Sequence, residues 1–174
     1  MAKSEKILKV PRKNTVLFDS SINIDEGTRS QVIGILNQRL ADVIDVQYQA
    51  KFAHWNVKGK DFYQLHLLFD TIAEHLEEAA DSIAERITAL GGRANGTIRQ
   101  SAANSSVPEY DTELIEGMAH VSALAERLAT VANAGRDTAE ETDELGDMVT
   151  SDLFTEIVGI ADKDLYFLES HLQR

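Results

Sequence analysis

His54, His66, Asp70, Asp81 and Glu85 lie in one stretch of the chain, and all five can bind a metal. Imidazoles and carboxylates suit Fe(II), Zn or Mn, and the absence of cysteine removes thiolate chemistry altogether. In a helical reading of residues 61–90, the last four share a stripe, as two pairs four residues apart. The pairs are eleven residues apart, which at about 1.5 Å per residue is about 16 Å. One ion cannot touch both pairs of a single chain. A second copy of the helix, running antiparallel about an axis near residues 75–76, sets His66 against Glu85 and Asp70 against Asp81. The spacing therefore predicts a metal site shared between identical subunits.

At about 100° per residue, this stripe centres about 130° from Leu76 and the other core positions of the helix. It faces away from its own core. Ala73, Ala80 and Ala84 lie between the two stripes, small enough for a neighbouring helix to come close. The competing reading is an ordinary solvated acidic face, since Glu74, Glu77 and Glu78 share the helix. His54 stands apart from that reading because it lies on an apolar stripe. Spacing alone does not choose iron over zinc, and a redox-inert zinc site is the rival occupant. Trp55 reads as packing. His75, His120 and His171 show no ligand spacing.

Four long amphipathic helices position these residues. Only Pro11 and Pro108 interrupt the chain, which leaves a long proline-free span. A first helix is predicted from near Thr28, with Thr28 and Gln31 as a capping box, to a break at Gly59. Its stripe is Val32, Leu36, Leu40, Val43, Val46, Ala50 and Ala53, with His54 following. A second runs from near Asp61, with Gln64 in the capping-box position, to Gly91-Gly92. Its inward residues are Phe62, Leu65, Phe69, Ile72, Leu76, Ile83, Ile87 and Leu90. A loop of about twenty residues follows, long enough to hold a short helix. A third helix is predicted over 111–133, with Leu114, Met118, Val121, Leu124, Leu128 and Val131 inward. A fourth is predicted over 144–172, with Met148, Leu153, Ile157, Ile160, Leu165 and Leu168 inward. With no strand signal, the fold class is all-α, a four-helix bundle.

The formal net charge is −12 over 174 residues. Lys3, Lys6, Lys9, Arg12 and Lys13 stand against Glu5, so residues 1–13 carry +4 and the remainder −16. We divide the chain into a flexible basic arm, 1–20, and a bundle domain, 21–174. An acidic body attracts cations, while the arm is the part suited to DNA. The N-terminal residues are too charged for a secretory signal, and no apolar run reaches membrane length. We expect a soluble cytoplasmic protein.

Ala53-His54-Trp55-Asn56-Val57-Lys58-Gly59, then Phe62, Leu65-His66, Asp70 and Asp81-Ser82-Ile83-Ala84-Glu85-Arg86, with Leu90-Gly91-Gly92, resemble the Dps family of DNA-protecting mini-ferritins. The resemblance extends over residues 28–172. It implies a ferritin-like bundle with a short helix in the long loop, and twelve copies in a hollow shell. It implies ferroxidase sites at two-fold interfaces, built from His54, His66 and Asp70 of one subunit and Asp81 and Glu85 of another. Fe(II) would be oxidised by hydrogen peroxide or oxygen and stored as ferric oxyhydroxide, with Trp55 intercepting stray oxidising equivalents. Nucleoid association through the arm is the family's alternative role. Glu126 matches a typical acid of the three-fold iron-entry pore. Ala134 stands where an acid is common, with Asp137, Glu140 and Glu141 as substitutes. Ordinary ferritins place Glu-x-x-His inside each bundle, and no acid here precedes a histidine by three.

Overall fold

The computed structural model describes residues 18–173, and the basic arm residues Lys3 to Lys13 lie outside them. Five helices follow in order: α1 Glu26–Asn56, α2 Phe62–Ala89, α3 Ile98–Asn104, α4 Gly117–Glu144 and α5 Met148–Leu172. Among the described residues there is no strand, and an isolated bridge joins Lys58 and Glu116. The architecture is the all-α, ferritin-like bundle, with α3 as the short helix of the long connection. α1 packs along α2 and α4 along α5. Among the described residues, no helix is long and apolar enough to cross a membrane.

The caps explain the boundaries. α1 begins earlier than the predicted Thr28, because Asp25 is its N-cap: Thr28 N–H donates to Asp25 Oδ1 at 3.0 Å, and Thr28 Oγ1 donates to Oδ2 at 2.7 Å. Thr28 is thus a donor to the cap and not the cap of a Thr28–Gln31 box. At α2, Gln64 donates to the Asp61 side chain, and Asp61 caps no backbone N–H. The capping box of this chain is instead Thr97 with Gln100, which starts α3.

α2 ends as predicted. Gly92 N–H donates to Ile87 O and Gly91 N–H to Thr88 O, both at 2.9 Å, with Gly91 at φ +86°. A Cβ on Gly91 would also stand 2.3 Å from Phe18 O, so only glycine fits. Phe18 N–H donates to Gly91 O and Ser20 Oγ to Ala89 O. The last residues assigned to the arm therefore lie against the end of α2.

The second half corrects the prediction. Residues 111–116 are not helical, because Asp111 Oδ1 accepts the Glu113 N–H and Ile115 O accepts the Lys58 N–H. α4 begins only at Gly117, where any Cβ would meet Leu65 Cδ1 at 2.5 Å. It continues past Asn133 to Glu144, and Gly146 at φ +82° makes the turn into α5. The buried face of α5 is Thr150, Phe154, Val158, Ala161, Asp164 and Leu168. Predicted inward residues Met148, Ile160, Met118 and Phe62 are exposed. The α1 stripe is buried throughout.

Candidate metal centre

His54 is carried by the last turn of α1 and His66 by the second turn of α2. The turn between them brings the two rings together, stacked at 3.8 Å between centroids and 19° between planes. Their hydrogen bonds are reciprocal. His54 Nδ1 donates to His66 O at 2.8 Å, and His66 Nδ1 donates to His54 O at 2.9 Å. A carbonyl oxygen can only accept, so each Nδ1 carries a proton, and in the neutral imidazole the lone pair is then on Nε2. This is the arrangement by which a backbone carbonyl orients a metal-ligating imidazole.

Asp70, one turn beyond His66, completes the cluster. Its Oδ1 accepts from Lys51 Nζ at 2.5 Å and lies 3.7 Å from His54 Nδ1. The Lys51 hydrogen bond holds the Asp70 carboxyl below the usual carboxylate range; the Lys51 charge, and those of His54 and His66 when protonated, act the same way against a smaller desolvation cost. Phe62 covers one side of the His66 ring at 5.2 Å.

Asp81 and Glu85 lie further along α2, both exposed. Neither carboxylate has a partner among the described residues. Among those residues no three His, Asp or Glu side chains are placed so that they could hold one metal ion as they stand. A single chain thus holds the five ligand candidates as two separate groups, as the eleven-residue spacing requires. Trp55 is 58% exposed beside His54, and Tyr63 and Leu67 are exposed on the neighbouring turns of α2. This is an apolar, unpartnered margin around the histidines.

Comparison with known proteins identifies the family. The sequence model of the ferritin-like domain family matches residues 33–174. A DNA protection during starvation protein of Agrobacterium fabrum (strain C58) is 41% identical over 151 residues, covering 87% of this chain and 93% of that protein. The chain belongs to the Dps family.

Among solved Dps structures, DpsC from Streptomyces coelicolor superposes with a TM-score of 0.88 at 30% identity, covering 95% of this chain and 97% of that one. The Dps protein from Vibrio cholerae O1, described as a member of the ferritin-like diiron-carboxylate superfamily, superposes at 0.84 with 26% identity, covering 94% and 100%. In this Dps chain, Glu126 is exposed and pairs with Arg127 at 2.7 Å, Ala134 is half-buried, and Asp137, Glu140 and Glu141 are exposed on α4.

Three groups escaped the sequence. Lys51 sits one turn before His54, but lysine carries no ligand signal. His75 Nδ1 bonds Asp164 Oδ2 at 2.8 Å across 89 residues, and His120 Nδ1 bonds Tyr110 Oη at 2.9 Å. Neither pairing leaves a local spacing to read.

Proposed function

We propose that this Dps chain is a ferroxidase and iron store, working at sites shared between two antiparallel subunits in a twelve-subunit shell. His54, His66 and Asp70 of one subunit face Asp81 and Glu85 of the next. The observation that carries this reading is the pair of carbonyl-bound histidines with free Nε2 atoms. They are set beside Asp70, on the same helix as two exposed carboxylates that lack partners.

The substrate is Fe(II). Asp81 and Glu85 neutralise the charge of the more tightly held ion, and the partner's imidazole at position 54 completes its shell. The histidine at 66 and the carboxylate at 70 hold the second, weaker ion. Lys51 lies within reach of Asp70 and yields that carboxylate as the cation arrives. The two ions give one electron each, and peroxide takes both. Its O–O bond breaks, and with two protons it leaves as two waters, so no hydroxyl radical is freed. Trp55, at the rim, intercepts a stray oxidising equivalent, and Trp55→Phe then increases radical damage to the protein. The ferric product is stored in the shell as oxyhydroxide. The relatives' role in DNA protection during starvation fits this chemistry, and so does a place in the cytoplasm.

The test is anaerobic loading with Fe(II) followed by hydrogen peroxide. A ferric absorbance rise, in a particle of about 230 kDa (twelve times 19.2 kDa), is the expected result. A flat trace with tightly held zinc would overturn the redox role. The net +4 of residues 1–13 supports a second reading, DNA condensation by the arm. Loss of a low-salt DNA shift on deleting those residues would establish it.

A further inference from the structure

A second acid–histidine pair lies on the other side of α2. His75 is about 130° round the helix from the centre of the His66–Glu85 stripe. It meets Asp164 of α5, with Nδ1 donating to Oδ2 at 2.8 Å. Asp164 is only 2% exposed, and its other oxygen, Oδ1, has no hydrogen-bond partner. Both residues line a cavity of about 120 Å³ between α2, α4 and α5. Glu78 and Glu156 also line it, and Leu128 and Ile157 form its apolar wall.

A buried carboxylate with one oxygen satisfied and the other orphaned is costly. Burial pushes the Asp164 carboxyl above the usual carboxylate range, and the His75 hydrogen bond opposes that only in part. The surroundings are rich in negative charge: three carboxylates share the cavity with one imidazole. At about 30 Å³ per water, the space takes about four waters, or one cation with part of its hydration shell. Oxygen and imidazole ligands without sulfur suit a divalent first-row ion. The Asp164–His75 bond gives the carboxylate the fixed orientation that an outer partner gives a ligand.

We infer that this cavity binds one divalent first-row cation, with Asp164 Oδ1 as the inner ligand, Glu78 and Glu156 as ligands at the mouth, and His75 positioning Asp164. As the side chains stand, no three such groups close on one point. Binding therefore requires Glu78 and Glu156 to swing inward, and both are exposed surface side chains. Water completes the shell. The site lies within one chain and stands independently of the inter-subunit reading.

Zinc, being redox-inert, is the probe. Crystals of the full-length protein soaked in Zn(II), with data collected at the zinc edge, should show an anomalous peak in this cavity within about 2.2 Å of Asp164 Oδ1. The peak should vanish in Asp164→Asn crystals while other zinc peaks remain. A cavity holding only water, or a peak indifferent to Asp164→Asn, overturns the inference. Should Asp164→Asn fail to fold, the surface double variant Glu78→Gln/Glu156→Gln serves. Equilibrium dialysis should then find about one zinc fewer per chain, and an unchanged count overturns the proposal. A peak here with none at Asp81 and Glu85 would uphold this site and count against the shared one.

Discussion

His54 and His120 are both histidines on long helices, and both are buried, but they are held in opposite ways. His54 gives its Nδ1 proton to a backbone carbonyl and keeps Nε2 for a ligand, at the edge of an exposed apolar margin. His120 is fully buried, and its Nδ1 shares a hydrogen bond with the Tyr110 hydroxyl at 2.9 Å. Its ring stacks on the Tyr110 ring and meets Phe69 edge-on. Arg127 lies 5.6 Å over the same Tyr110 ring and donates to Glu109 O at 2.9 Å. Desolvation holds the His120 imidazole below its usual range, which favours the neutral ring. A histidine whose Nδ1 is bound to a carbonyl beside an exposed margin has Nε2 left over for another contact. A histidine closed among rings pins the long connection to α4. Residue type and burial alone do not separate the two; the partner of Nδ1 does, a backbone carbonyl for His54 and a phenol for His120.

Substitutions should separate them too. The largest effect is expected at the shared site: His54→Ala or Asp81→Ala should slow peroxide-driven Fe(II) oxidation about 100-fold, followed by ferric absorbance in stopped flow. His120→Phe should do the reverse. It leaves the Tyr110 hydroxyl unpaired, costing about 2 kcal/mol and about 4–8 °C in Tm, while the oxidation rate per folded subunit stays within about twofold. Calorimetry together with the same kinetic assay checks both halves.

A smaller effect is expected for Lys51→Met. Asp70 loses the hydrogen bond that depresses its pKa, so its carboxyl should titrate closer to the ordinary range. A depressed carboxylate stabilises the fold above its unfolded pKa, and that contribution fades as pH falls through the folded value. The variant should therefore lose its Asp70 charge at higher pH than the parent, as carbon-detected NMR would show. The least visible outcome is at Tyr110. Burial holds its phenol above the usual range, the Asp111 charge acts the same way, and Arg127 opposes them in part. Alkaline titration should thus find one of the four tyrosines un-ionised until the protein unfolds.

The same contrast explains what could be read in advance. The α1 stripe from Val32 to Ala53 was legible because its apolar residues keep helical period and nothing competes with them. Gly91-Gly92 was legible because a left-handed helix end calls for glycine. α5 was less so: Met148, Val149, Leu153, Phe154, Ile157, Val158 and Ile160 are apolar around much of the helix. Only packing against α4 selects Phe154 and Val158 over Met148 and Ile160. The start of α4 depends on Gly117 meeting Leu65, a contact 52 residues away in the chain. For the candidate site, spacing placed His66, Asp70, Asp81 and Glu85 on one face. It could not show that His54 and His66 bond each other's carbonyls, because that follows from the register of α1 on α2. The His75–Asp164 and Tyr110–His120 pairs were invisible for the same reason.

The central claim is that no chain owns a complete iron site. The most direct test is complementation. One variant lacks His54 and His66 (both to Ala), and the other lacks Asp81 and Glu85 (both to Ala); each alone should be inactive. Co-assembled in equal amounts, half of the two-fold interfaces are mixed, and each mixed interface regains one of its two sites. The account predicts recovery of about a quarter of the parent's Fe(II) oxidation. If the mixed particles form and remain as inactive as either variant alone, the shared site is contradicted.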